Sequence, residues 1–102
     1  MTAEDALEQI KELVLNDWGG RRDDAMVAQV RRLLGCVPSN LTIYASGKRD
    51  AIQRWSEIYW SPRRHKRYGG PSQVRTSILG ACDTLIGILP SERAHTEATR
   101  NA

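Results

Sequence analysis

Phenylalanine is absent from this chain of 102 residues, and lysine is scarce: three lysines stand against twelve arginines. GC-rich coding produces both biases, so the arginine count alone is weak evidence for phosphate recognition. Long apolar runs are missing, which excludes a membrane-spanning helix. The N-terminal stretch MTAEDALEQI is acidic and amphipathic, unlike a signal peptide, and the expected location is cytoplasmic. Only two cysteines occur, Cys36 and Cys82, each among apolar neighbours and neither in a CxxC or Cys/His spacing. The expectation is two buried, reduced thiols and no metal. A zinc site would need two further ligands, and the only histidines are His65, inside a basic run, and His95, in a polar stretch.

Catalytic motifs are equally scarce. The histidines lie in contexts that do not converge with a Ser or Cys nucleophile and an acid. The acidic pairs Glu4-Asp5 and Asp23-Asp24 stand at helix starts, where capping and the helix dipole explain them. No phosphate-cradling G-x-x-x-x-G-K loop occurs. These absences predict a non-enzymatic protein without a cofactor.

The length suits one domain, and the apolar residues recur with helical spacing. Leu7, Ile10, Val14 and Trp18, widened by Leu13, predict a first helix over 3–18, with Thr2 as its N-cap. Met26, Val30, Leu33 and Leu34 predict a second over 24–34, capped by Asp23 and closed by a left-handed Gly35. Ala51, Ile52, Trp55, Ile58 and Tyr59 predict a third over 48–60, stopped by Pro62. Val74, Ile78, Ala81, Leu85 and Leu89 predict a fourth over 72–89, stopped by Pro90. The only strand-like run, Leu41-Thr42-Ile43-Tyr44, has no second strand to pair with. The expected fold is all-α: a small bundle of about four helices over residues 1–90, with an irregular linker at 36–46. Residues 91–102, SERAHTEATRNA, lack an apolar anchor and are expected to form a flexible, disordered polar tail.

The mild net charge of +3 conceals a polarised chain. Residues 1–24 sum to −4, whereas residues 48–75 carry eight basic and two acidic side chains, a net +6. The densest part is SPRRHKRYGG at 61–70. Clustered cations interleaved with aromatic rings suit phosphate neutralisation and base stacking. The candidate nucleic-acid contacts are Arg63, Arg64, Lys66 and Arg67, flanked by Arg49, Arg54 and Arg75, with Trp60 and Tyr68 as candidate stacking rings. The competing structural expectation is a loop whose arginines pair with Glu4, Glu8 and Glu12 of the first helix. A stripe of small residues on the fourth helix, including Gly80, Thr84 and Gly87, marks a close backbone approach, either within the chain or at a homo-oligomer interface.

The stretch VAQVRRLLGCVPSNLTIYASGKR resembles, over about twenty residues, the helix-turn-helix of transcriptional regulators, with Gly35 at the turn. That resemblance implies a second helix carrying Ser39, Asn40 and Thr42 to base edges. The chain departs from the pattern at Arg31, where a small residue is needed for close helix packing, and Pro38 and the β-branched Thr42-Ile43 weaken a helix over 39–45. The preferred functional expectation is therefore a helical binding module contacting the phosphate backbone of nucleic acid through 48–75. The alternative is a protein-interaction module: an adaptor, regulator or inhibitor, of phage or bacterial-defence type, with a protein partner or a second copy.

Overall fold

The computed structural model describes every residue except Trp18 and Ala102, with side chains described as far as Ala94. All regular structure among the described residues is helical: α1 (Ala3–Leu15), α2 (Asp24–Leu34), α3 (Ile43–Tyr59), the single turn α4 (Pro62–His65) and α5 (Pro71–Asn101). A 3-10 turn, Lys66–Tyr68, follows α4 directly. The four helices anticipated from periodicity are α1, α2, α3 and α5. The basic stretch between α3 and α5 is itself helical, which adds a fifth.

Local chemistry explains most boundaries. Thr2 Oγ1 accepts from the Asp5 amide at 3.1 Å and Asp23 Oδ1 from the Met26 amide at 3.1 Å, each satisfying an amide that has no partner inside its own helix. α1 stops at Leu15, earlier than its apolar spacing suggests; Trp18 lies outside the described residues. Gly35 corrects the expected left-handed closure of α2. Its φ is −61°, an ordinary right-handed value, and the Leu34 carbonyl is instead satisfied by Arg49 Nη2 at 3.0 Å.

The core forms where the apolar stripes meet. Leu7, Ile10 and Val14 of α1 and Val30 and Leu34 of α2 pack with Ile52, Ile58 and Tyr59 of α3 and Val74, Ile78, Leu85 and Leu89 of α5. α5 lies against both α3 and α1, α2 against both α1 and α3. Fully burying each such aliphatic side chain contributes about 1.5–3 kcal/mol. Cys82 belongs to this core, and burial pushes its thiol up to about 12. Cys36 is exposed, so only one of the two cysteines is buried.

Two boundaries differ from expectation for one shared reason. α3 begins at Ile43 rather than Lys48, so the irregular linker covers 35–42, not 36–46. Ser39 and Asn40 lie in that linker and Thr42 is the N-cap of α3, so no recognition helix spans 39–45 and the helix-turn-helix resemblance does not extend to the fold. In the first turn of α3 only Ala45 is buried, while the larger Ile43 and Tyr44 are 94% and 60% exposed, so its apolar side chains give that turn little anchorage. Its cap holds it: Thr42 Oγ1 accepts from the Ala45 amide at 3.4 Å and donates to the Glu92 carboxylate, which also accepts from the Thr42 amide at 3.3 Å. Glu92 stands beyond Pro90, which was expected to end α5 and does not. A proline inside a helix costs about 3 kcal/mol because it lacks the amide donor and crowds the preceding turn. Three contacts flanking it offset that cost: buried Leu89, Glu92 at the α3 cap, and Arg93 bound through both terminal nitrogens to Glu4 at 2.6 Å. Within the expected tail, Glu92 and Arg93 are helical and contact the rest of the bundle, whereas Ser91 and Ala94 are exposed. The helical backbone continues to Asn101, and the rest of the expected tail, in its side chains and at Ala102, falls outside the described residues.

Replacing Glu92 with Ala removes acceptors from the partly buried Thr42 cap and is expected to lower unfolding free energy by about 1–3 kcal/mol. Denaturant unfolding measures this, and amide exchange should accelerate at the start of α3 as well as in α5. Unchanged exchange at Ala45 and Ser46 would show that the cap does not depend on Glu92.

Candidate nucleic-acid interface

After α1 the chain turns through Gly19 and Gly20, with φ of 101° and 57°. The carbonyls exposed by this turn are taken up by side chains from three other helices. Tyr59 of α3 donates its hydroxyl to the Asp17 carbonyl at 2.6 Å. Arg75 of α5 donates to the same carbonyl at 3.3 Å and to the Tyr59 oxygen at 3.4 Å. His65 of α4 meets the Gly20 carbonyl through Nε2 at 3.1 Å. A carbonyl only accepts, so Nε2 is the donor in this contact. Burial pushes the Tyr59 phenol above its ordinary value, with the neighbouring Arg75 opposing the shift. There is no room for a side chain at Gly20: a Cβ there would sit 2.5 Å from the Tyr59 carbonyl oxygen and 3.2 Å from the His65 ring.

This junction orients the basic segment. Pro62 opens α4, where a missing amide donor is harmless. With His65 turned inward and buried, helical rotation carries Arg63, Arg64, Lys66 and Arg67 outward, and all four are exposed. Four residues apart, Arg63 and Arg67 fall about one turn from each other on the side away from His65. None of the four makes an ion pair among the described residues. The acids of α1 are directed elsewhere. Arg93 holds the Glu4 carboxyl below the usual carboxylate range. Lys11 lies 3.8 Å from Glu8 and 2.6 Å from Asp83, and Asp83 above all raises its pKa. Glu12 forms no ion pair with the basic segment among the described residues. Arg63 and Arg64 also line a groove of ≈ 340 Å³, bordered by Arg22 and floored in part by Trp60. Its two acids face other arginines, Asp24 facing Arg22 at 3.6 Å and Glu57 facing Arg31 at 3.5 Å.

Several candidates take other places. Arg49 caps α2 and Arg75 ties α5 to the glycine turn, so both serve the fold. Trp60 is 1% exposed and packs perpendicular to Tyr59, with ring centroids 5.0 Å apart, so a core position replaces its expected stacking role. Arg54 is exposed on α3. Tyr68 is 50% exposed and perpendicular to half-buried Trp55, with centroids 5.1 Å apart. Gly80 and Gly87 are exposed, with nothing within 4 Å of where a Cβ would stand, and Thr84 is half-buried. Among the described residues no backbone packs on Gly80 or Gly87. The residue that sequence reasoning missed is His65. Its signal was available: in RRHKR it is the one side chain able to enter a core without a fixed charge.

No protein-family model matches the chain, and neither a curated protein nor a solved structure matches it at a significant level. Among the described residues no helix is long and apolar enough to cross a membrane, and no three His, Cys, Asp or Glu side chains gather as metal ligands.

Gly20→Ala is expected to destabilise the fold by about 2–4 kcal/mol, combining left-handed strain with the clash against the Tyr59 backbone. Gly80→Ala, in an exposed helix interior with open space, should instead stabilise by up to about 1 kcal/mol. Thermal or denaturant unfolding distinguishes the two, and equal effects would mean that the glycine turn does not constrain the fold.

Proposed function

We propose that this chain is a non-enzymatic helical module that contacts the phosphate backbone of nucleic acid through the helical knob formed by α4 and its 3-10 turn. The observation that carries this reading is the set Arg63, Arg64, Lys66 and Arg67: four exposed cations on an ordered turn, with no acidic partner among the described residues. Holding them on a turn anchored by His65 lowers the entropy lost on binding relative to a flexible loop. Arg54 extends the positive surface along α3. Arg49 and Arg75 drop out of the contact set because their guanidinium groups serve the fold. A net charge of +3 suits modest, sequence-tolerant affinity. A reducing compartment such as the cytoplasm suits a protein with an exposed thiol at Cys36.

A second reading, an interaction module or self-associating chain, is favoured by the exposed Gly80 and Gly87 on α5. Glycine in an exposed helix interior costs about 1 kcal/mol relative to alanine, and no packing against either glycine among the described residues compensates for it. A neighbouring helix could use that flat surface.

Binding to generic duplex and single-stranded DNA, measured by anisotropy across salt concentration, tests the first reading. Affinity should fall steeply as salt rises, and replacing Arg63, Arg64 and Arg67 together by Gln should reduce the slope by about 1 for each phosphate contact removed. Absence of binding at low salt would end it. For the second reading, light scattering should show an oligomer that Gly80→Leu or Gly87→Leu dissociates; a monomer mass before and after substitution would remove it.

A further inference from the structure

Tyr68 is the one candidate stacking ring left at the surface, and the turn that carries it is tightly specified. Gly69 and Gly70 both have positive φ, 89° and 94°, and the Gly70 amide returns to the His65 carbonyl at 2.9 Å. A Cβ on Gly69 would stand 2.8 Å from the Gln73 side chain at the start of α5, so the turn lies close against that helix. The ring is therefore presented by a closed, short-range structure. Trp55 supports it from α3, but the two planes are 85° apart. A perpendicular neighbour covers at most one face of a ring, and Tyr68 remains half exposed. Arg67 precedes it directly and Arg64 lies about one turn earlier, so cations adjoin the ring in the sequence and along the helix.

From this we propose that the knob prefers single-stranded over duplex nucleic acid, with Tyr68 stacking on an unpaired base while Arg64 and Arg67 neutralise adjacent phosphates. The inference rests on the phosphate-binding reading above and adds the ligand's strandedness to it. In a duplex both faces of each base are covered by neighbouring pairs, so a ring on a convex knob meets only backbone and groove edges. In a single strand a base is available to stack, and base–aromatic stacking tolerates any sequence because every base has a π-face. Trp60 cannot share the task from the core, so the preference depends on one side chain.

Three fluorescent probes of equal length separate the two layers of the proposal: a thymidine single strand, an abasic strand with the same phosphates, and a duplex. The wild-type chain should bind the thymidine strand about ten-fold more tightly than the abasic strand, in line with one stacked base. Tyr68→Ala should remove that advantage and leave duplex affinity unchanged, while Tyr68→Phe should retain it. Circular dichroism and the retained duplex affinity report that the Ala variant is folded. Equal wild-type binding of the thymidine and abasic strands, or an equal loss on all three probes in Tyr68→Ala, would overturn the stacking proposal and leave salt-dependent phosphate binding standing. No binding to any probe at low salt would overturn both.

Discussion

Two backbone carbonyls in the turn after α1 organise the rest of this molecule. The Asp17 carbonyl is shared by Tyr59 and Arg75, and the Gly20 carbonyl is taken by His65. A turn so close to the core would otherwise leave acceptors without water, which costs about 1–3 kcal/mol for each unsatisfied group. Meeting that requirement draws α3, α4 and α5 to one point. The approach is only possible with glycine at position 20, where the backbone is left-handed and the Tyr59 carbonyl lies where a Cβ would be.

The exposed charge is a consequence of that junction. A seven-residue helical stretch with one buried side chain must present the others outward, and those others are mostly arginine and lysine. Had the segment been a mobile loop, its cations were free to fold back onto the acids of α1. Instead those acids serve the opposite end of the bundle, where Arg93 meets Glu4, and its flank, where Lys11 sits between Glu8 and Asp83. Such exposed pairs contribute little individually, typically under about 1 kcal/mol. Their larger effect here is to leave Arg63, Arg64, Lys66 and Arg67 without an ion-pair partner from α1 among the described residues.

The legibility of the chain followed the range of its interactions. α2 was readable to the residue at both ends, because Asp23, the apolar spacing and the break at Gly35 are all local. Leu7, Ile10 and Val14 marked the buried face of α1, and Val74, Ile78, Leu85 and Leu89 that of α5. The start of α3 was missed because its cap depends on Glu92, fifty positions away, and its first turn exposes Ile43 and Tyr44 against the usual pattern. Pro90 misled for the same reason: a local rule ended the helix, and distant contacts carried it on. In the candidate site, arginines of identical chemistry separated into roles. Arg63, Arg64 and Arg67 face solvent, whereas Arg49 and Arg75 bond to carbonyls.

The sequence by itself determined an all-helical bundle, the apolar faces that fill it and the concentration of positive charge between the third and last long helices. Periodicity and charge are properties of neighbouring residues, so they survive reading along one dimension. Only the tertiary structure decided which aromatic ring lies in the core and which at the surface, which arginines are used internally, and that SPRRHKRYGG is a helical knob rather than a loop. Those outcomes turn on His65 reaching a carbonyl forty-five residues earlier in the chain, a contact that no local pattern encodes.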